Sequence, residues 1–331
     1  MAETMRAVTF DGHGGVEVLR ISDVPRPVAG PGELLVRVRS AALNHADTLQ
    51  RKGEYSAPPG ESAIPGVEIA GEVEAWHPEL SGFSRGDRVC GIVGSGGYAE
   101  YCRLDAGMAV PVPEGWSFVD AAATPEVFYT ADTTLFELGG LAAGQTVLIH
   151  AAGSGVGTAC IQLAREVGAT IVATAGADEK LERCRALGAH LGINYKRQDF
   201  AAEVQRFTGG RGVDVIEDFV GTDYLAKNLS VLKDGGSLVL VGILGSLEPA
   251  TVDLLPLILR RLQIKGSSMR PRPLADKRAI TATFRRRWLP LLVEGRLQPV
   301  IDSVFPWEQV AEAHRRMDEN RNFGKILLTL D

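Results

Sequence analysis

The stretch Thr146 to Gly157, TVLIHAAGSGVG, constrains the fold of this chain more than any other. A β-branched apolar run stops at His150 and passes directly into a glycine-rich turn that opens a helical pattern from Val156 to Val167. Strand, tight turn and helix in immediate succession form the first half of a βαβ unit. The first N–H groups of such a helix are unpaired and lie at its positive end, and Gly153, Gly155 and Gly157 let that backbone approach phosphate oxygens. Against the G-x-G-x-x-G fingerprint the match is imperfect, with Ala152 and Ser154 at the first two glycine positions and Gly157 at the third. The turn suits a dinucleotide pyrophosphate, with an ordinary strand-turn-helix as the bland alternative.

The next strand, Thr170 to Ala173, ends in Thr174, Ala175 and Gly176 with no acidic residue at its tip. A carboxylate there would bind an adenosine 2′-hydroxyl and repel a 2′-phosphate, whereas small residues followed by a cation leave room for the phosphate. Lys180 is that cation, so we expect NADPH rather than NADH. Asp178 and Glu179 flank it and would instead turn toward the ribose if the loop folded differently.

Punctuation along the chain divides it. From Met5 to about Pro113, short strand-like runs (Arg6 to Phe10, Glu33 to Ser40, Gly71 to Ala75, Arg88 to Ile92, Ala99 to Leu104) alternate with Gly and Pro clusters, the pattern of a partly open β-barrel. A long helical pattern from Ser117 to Leu138 then leads into strand-helix units, with strands near 146–149, 170–173, 191–194, 213–219, 237–243 and 262–267. That alternation predicts a doubly wound parallel sheet and an α/β fold class. Beyond it the spacing predicts a helix from Leu274 to Glu294, another from Trp307 to Asn320 and a last strand from Lys325 to Leu330. We therefore expect a catalytic domain over 1–122, a nucleotide-binding domain over 123–268 and a segment 269–331 that returns to the first, with the cleft between them. The fifth and sixth strands would leave an open sheet edge unless a second subunit covered it, which predicts a homodimer.

Composition excludes other classes. The 331 residues carry a net charge of −6, which gives no global attraction for nucleic acid, and the run Arg285 to Arg287 reads as a solvated helix face. MAETMRAVTF lacks an apolar signal core, and no stretch approaches the roughly 20 apolar residues that cross a bilayer, so a cytoplasmic protein is expected. Cys90, Cys102, Cys160 and Cys184 have neither disulfide-framework nor zinc-knuckle spacing.

Several words together are more specific than the turn alone. ALNHADTLQRKGEYSAPPG (Ala42 to Gly60), PGVEIAGEV (Pro65 to Val73), GDRVCGI (Gly86 to Ile92), HAAGSGVG (His150 to Gly157), INYKRQDF (Ile193 to Phe200) and FGKILL (Phe323 to Leu328) resemble the zinc-free, zeta-crystallin-type quinone oxidoreductases of the medium-chain dehydrogenase/reductases. The resemblance covers nearly the whole chain. It implies a GroES-like catalytic domain, a Rossmann domain and NADPH-dependent hydride transfer to a quinone. Zinc-dependent relatives hold their metal with a cysteine at the place of Asn44, a histidine at that of Val67 and another cysteine near Phe128; none of these residues is a usual zinc ligand. His45 lies nearby without partners for a metal site. The segment Gly94 to Val112, where a structural-zinc lobe would sit, contains only Cys102.

The resemblance also carries the site residues. Tyr55 is the expected hydrogen-bond donor to the acceptor, with a packed turn residue as the alternative. Asn44 is expected to orient the nicotinamide ribose or the acceptor, and Asp47 to cap the helix that begins there. Thr130 is expected on a helix facing the cleft. Ser154, Gly155 and Val156 should meet the pyrophosphate beside Gly153, Gly176 and Lys180 the ribose phosphate, and Tyr195 the adenosine. Val220, Gly242 and Leu244 follow strands at ends where ligands gather. Arg270 would meet a phosphate or be solvated. Two other readings stay open: a reductase of α,β-unsaturated carbonyls, and a non-enzymatic structural or RNA-binding protein, the latter opposed by the acidic balance.

Overall fold

The structure, a computed structural model, describes residues 3–246, 248–249 and 251–330. In chain order its regular elements are β1 (Thr4–Phe10), β2 (Leu19–Pro25), β3 (Glu33–Ala42), α1 (His45–Lys52), β4 (Glu68–Trp76), β5 (Arg88–Ile92), β6 (Tyr101–Asp105), β7 (Val110–Pro111), α2 (Phe118–Ala122), α3 (Pro125–Asp132), β8 (Thr146–Ile149), α4 (Gly155–Glu166) and β9 (Thr170–Ala175). There follow α5 (Asp178–Leu187), β10 (Leu191–Asn194), α6 (Phe200–Thr208), β11 (Val213–Asp218), α7 (Leu225–Val231), β12 (Leu232–Leu240), α8 (Leu255–Leu259), β13 (Gln263–Gly266), α9 (Leu274–Arg287), α10 (Leu289–Val293), β14 (Ile301–Pro306), α11 (Val310–Asp318) and β15 (Lys325–Thr329). The described chain divides into two compact units: one runs to Val127 and resumes at Arg270, and the other spans Phe128–Met269.

In the first unit β1 and β2 form an antiparallel pair, and a mixed sheet has the order β14-β15-β3-β4-β5-β7 with β6 also on β3. Strand β3 organises it. Its end pairs antiparallel with β15, Leu327 opposite Ala42, and its other edge pairs with β4, Ala41 opposite Ile69. These registers bring the start of β15 and the start of β4 to the point where β3 runs into α1.

The second unit holds a six-stranded sheet, order β10-β9-β8-β11-β12-β13, parallel throughout. Val147, Leu148, Ile149, Ile171, Val172 and Ala173 are all fully buried, as parallel strands covered on both faces require. From β8 the chain steps outward through β9 to β10, then reverses to β11 on the other side of β8. That reversal is a topological switch point, and the strand ends around it are where α/β sheets bind ligands.

The structure departs from the periodicity in several places. The pattern 117–138 is α2, α3 and a π-helical turn over Thr133–Leu138, because Pro125 restricts the residue before it and starts a new helix. The helix expected from 274 to 294 breaks at Trp288, since Pro290 lacks an N–H and would clash with the preceding turn. Strand β12 stops at Leu240, so Ile243 lies outside it. Strands β2 and β14 were not anticipated: both are half-exposed and carry acidic residues that blur their alternation.

Candidate functional site

The second unit builds the glycine turn from tight packing. Ala151 takes a left-handed backbone, φ 46°, which lets the chain reverse directly after β8. Ser154 caps α4, its Oγ accepting the Gly157 N–H at 3.0 Å. A Cβ on Gly157 would lie 2.7 Å from Ala151 O and from Ala152 Cα, so only glycine lets the helix start this close to the turn. Gly155 and Val156 open the twelve-residue α4, whose first N–H groups Ser154 satisfies only in part.

At the end of β9, Gly176 lies beneath Tyr195: a Cβ there would be 2.7 Å from the tyrosine Oη and 3.1 Å from Lys196 Cε. The residues expected at the ribose phosphate and at the adenosine, Gly176 and Tyr195, are thereby brought together. Lys180 lies in the first turn of α5. Asp178, which opens that helix, accepts hydrogen bonds from Asn194 Nδ2 and Arg197 Nη1, both at 2.6 Å. Lys196 and Arg197 were missed as nearby cations, although both stand in the quoted word INYKRQDF. Thr130 is buried, and its carbonyl accepts the Thr134 hydroxyl. The segment after β12 runs against the turn after β11, with Leu244 N–H donating to Phe219 O and Gly245 N–H to Val220 O, so Val220, Gly242 and Leu244 belong to one local cluster.

Beneath these turns runs a buried chain of polar groups. Asp218 Oδ1 accepts the N–H groups of Val220 and Gly221, and its Oδ2 accepts Asn228 Nδ2 at 3.0 Å. His150 joins Asn228 Oδ1 through Nε2 at 2.9 Å and Thr174 Oγ1 through Nδ1 at 3.0 Å. Burial pulls the His150 imidazole down to about 4.

In the first unit Asn44, not Asp47, is the N-cap residue of α1, and it is half-buried. Asp47 stands three residues on and accepts the Asn44 N–H at 2.8 Å, the Gly66 N–H at 3.1 Å and the Tyr98 hydroxyl at 2.9 Å. Burial pushes the Asp47 carboxyl up, and these donors oppose the shift. Asn44 Oδ1 accepts from Lys325 Nζ at 2.8 Å, and Lys325 also meets Glu68 Oε2 at 2.8 Å and Leu43 O at 3.1 Å. Glu68 Oε1 accepts the Glu126 N–H at 2.7 Å. Val67 is buried next to Glu68, and Phe128 is buried in the second unit. Among the described residues no group of three or more His, Cys, Asp or Glu side chains could hold a metal ion.

Tyr55 is half-buried, with the Arg270 guanidinium 5.4 Å from its ring centroid. Arg270 is neither solvated nor free of the first unit: it is 8% exposed and donates to Gly94 O at 2.8 Å and Gln50 Oε1 at 3.0 Å. No helix among the described residues is long and apolar enough to cross a membrane.

Residues 30–114 match the model of the alcohol dehydrogenase GroES-like domain, and residues 155–282 that of the zinc-binding dehydrogenases. The chain is 32% identical over 329 residues to the quinone oxidoreductase of Rattus norvegicus, covering 98% of each. It is similar to the crystal structure of an NAD-dependent alcohol dehydrogenase at TM-score 0.88 and 36% identity, covering 99% of this chain and 100% of that one. A mycobacterial protein complexed with NADPH superposes equally well, at TM-score 0.88 and 28% identity, over 98% of this chain and 100% of the other.

Proposed function

Because this chain belongs to the zeta-crystallin-type quinone oxidoreductases of the medium-chain dehydrogenase/reductase superfamily, we propose that it reduces quinones with NADPH and without zinc. It is an oxidoreductase that uses a nicotinamide cofactor. The observation that carries the zinc-free reading is the donor set around Asn44. At the positions where relatives ligate zinc stand an amide and an isopropyl group, and the adjacent cation is the Lys325 ammonium, already held by three oxygens.

When bound, NADPH supplies the hydride from its nicotinamide C4. Quinones need little polarisation to accept it, since the product is a stabilised aromatic oxyanion, so positioning and one or two N–H or O–H donors are enough. Tyr55 donates its hydroxyl to that oxygen and Asn44 orients the reacting partners. Ser154, Gly155 and Val156 hold the pyrophosphate at the N-terminus of α4 beside Gly153. Tyr195 takes the adenosine, and Gly176 with Lys180, joined by Lys196 or Arg197, takes the ribose 2′-phosphate. Asp178, one of the two carboxylates at the start of α5 that could compete for a ribose hydroxyl, is engaged by Asn194 and Arg197, which favours NADPH.

A row of exposed apolar residues on and beside α8, Leu254, Leu255, Ile258 and Leu259, adjoins the edge strand β13 with its exposed Ile264. This surface fits a second copy of the chain, completing a homodimer. Four buried, free cysteines fit a reducing cytoplasm. The experiment is a steady-state screen of NADPH and NADH oxidation against quinones and α,β-unsaturated carbonyls in chelator. Quinone-dependent NADPH oxidation supports the reading, enone-only activity moves the protein to the reductases of unsaturated carbonyls, and loss of activity in chelator refutes the zinc-free part.

A further inference from the structure

The register of β15 on β3 sets Lys325 beside Asn44, and that of β4 on β3 brings Glu68 to the same point. Lys325 is 3% exposed and Glu68 fully buried, so neither charge is solvated. The ammonium has three N–H donors and meets three oxygens: Glu68 Oε2 and Asn44 Oδ1 at 2.8 Å, and Leu43 O at 3.1 Å. Nothing in this arrangement is left over on the lysine.

The consequence falls on Asn44. An amide presents an acceptor on one side and two donors on the other, and the two faces have nearly the same shape. An ammonium can only donate, so the atom of Asn44 facing Lys325 must be the carbonyl oxygen. The NH2 group is thereby turned the other way, where its contacts are long: 3.4 Å to Ala42 O and 3.4 Å to Glu68 Oε2. Good N–H···O bonds are about 2.9 Å, so this NH2 group retains donor capacity. Asn44 is also only half-buried, unlike the two charges behind it.

We propose that Lys325 is a positioning residue for hydride transfer: it holds the Asn44 amide with its oxygen inward, and so commits Asn44 to donating an N–H to an oxygen of the bound acceptor. The proposal rests on the quinone-reduction reading and adds the direction of the Asn44 hydrogen bond, which that reading leaves open. Glu68 neutralises the lysine and keeps it in place, and Glu126 N–H holds the other carboxylate oxygen. A carboxylate or an acceptor atom on the ligand's far side would find no donor here if the amide were reversed.

A double-mutant cycle with a quinone substrate tests this. Removing one charge alone would strand the other, so the pair is replaced together as Glu68→Gln with Lys325→Met. Asn44→Ala should lower kcat roughly tenfold to a hundredfold, as expected for loss of a donor to a developing oxyanion. The pair replacement should lower kcat about tenfold while leaving the NADPH dissociation constant within about twofold. In the Asn44→Ala background it should change kcat by no more than about twofold, because its action passes through Asn44. Equal losses in both backgrounds would overturn the proposal and leave a purely structural pair. Asn44→Asp is a second arm that keeps a partner for Lys325 and removes both amide donors; it should lose as much turnover as Asn44→Ala, and retained turnover would also overturn the proposal. A wild type that reduces no quinone sinks the functional reading itself, an outcome distinct from an active wild type with an additive cycle.

Discussion

Glu217 should make the protein less stable at alkaline pH, and Glu217→Gln should remove that weakness. The side chain sits on β11 between β8 and β12, fully buried, and among the described residues neither carboxyl oxygen has a hydrogen-bond partner. The neighbouring Thr134 hydroxyl donates to Thr130 O instead. Burial, opposed by the nearby Thr134 hydroxyl and helped by a smaller push from Asp218, raises this carboxyl from the ordinary 4.5 to about 8. The folded state therefore holds its proton more tightly than the unfolded chain. The resulting stabilisation is complete below about pH 4.5 and is lost as pH rises toward 8. Between pH 5.5 and 8.5 the loss from this one group amounts to about 3 kcal/mol.

The wild-type curve alone would not show it, because two histidines work in the opposite direction. Burial holds His150 down to about 4 and His314 to about 3, so the unfolded chain takes up protons below its ordinary 6.5 while the folded chain does not. Their contribution to stability is present above 6.5 and falls as pH drops, by about 1.4 kcal/mol each at pH 5.5. Buried Asp47 and Asp218, both raised, work in the same direction as Glu217. His150, His314 and Asp47 are common to both proteins and cancel in the difference, as does Asp218 apart from its small coupling to Glu217. Melting both proteins across this range without nucleotide should show the variant gaining on the wild type by roughly 5 °C between pH 5.5 and 8.5. Parallel curves would refute the buried, protonated assignment of Glu217.

Three further outcomes are expected. Lys180→Ala should weaken NADPH roughly tenfold to a hundredfold and leave NADH nearly unchanged, since only NADPH carries the 2′-phosphate; equal weakening in parallel titrations would move the phosphate to Lys196 or Arg197. Ile258→Glu, on the exposed row of α8, should convert a micromolar dimer to monomer in light scattering, and an unchanged mass would place any interface elsewhere. Tyr55→Phe should cut quinone turnover by up to about a hundredfold with NADPH affinity intact, whereas unchanged turnover would leave Tyr55 a packing partner of Arg270.

What was legible in the sequence depended on whether the backbone or the side chain carries the feature. The glycine turn declares itself because only small residues and a helix start produce it, and Gly157 proves to be fixed by contact with Ala151. The parallel strands declare themselves through unbroken apolar runs. Lys325 and Glu68 lay unread inside FGKILL and PGVEIAGEV, although a charge embedded in an apolar strand word signals a buried partner. What the sequence does not display is which distant charge that partner is, because the pairing is created by the registers of β4 and β15 on β3. Burial of Arg270 escapes the sequence for the same reason: a cation after a strand reads as solvated, and its partners Gly94 and Gln50 are far away along the chain.

Donor and acceptor accounting also explains why a histidine follows β8. Backbone N–H groups occupy Asp218 Oδ1, and Oδ2 takes the Asn228 NH2, so the Asn228 carbonyl is left to accept. That requires a proton on His150 Nε2, and the bare Nδ1 then accepts the Thr174 hydroxyl. The Thr174 hydroxyl could donate or accept, so it is burial that selects the neutral imidazole, with Nδ1 bare. The chain ties the ends of β8, β9 and β11 together where the glycine turn and Val220 begin. An apolar side chain at position 150 would pack as well and leave Thr174 Oγ1 and Asn228 Oδ1 unsatisfied. In the first unit Lys325 sets the orientation of an amide by offering only donors; in the second Asp218 does the same by offering only acceptors. In both, one buried charge determines which way an asparagine faces.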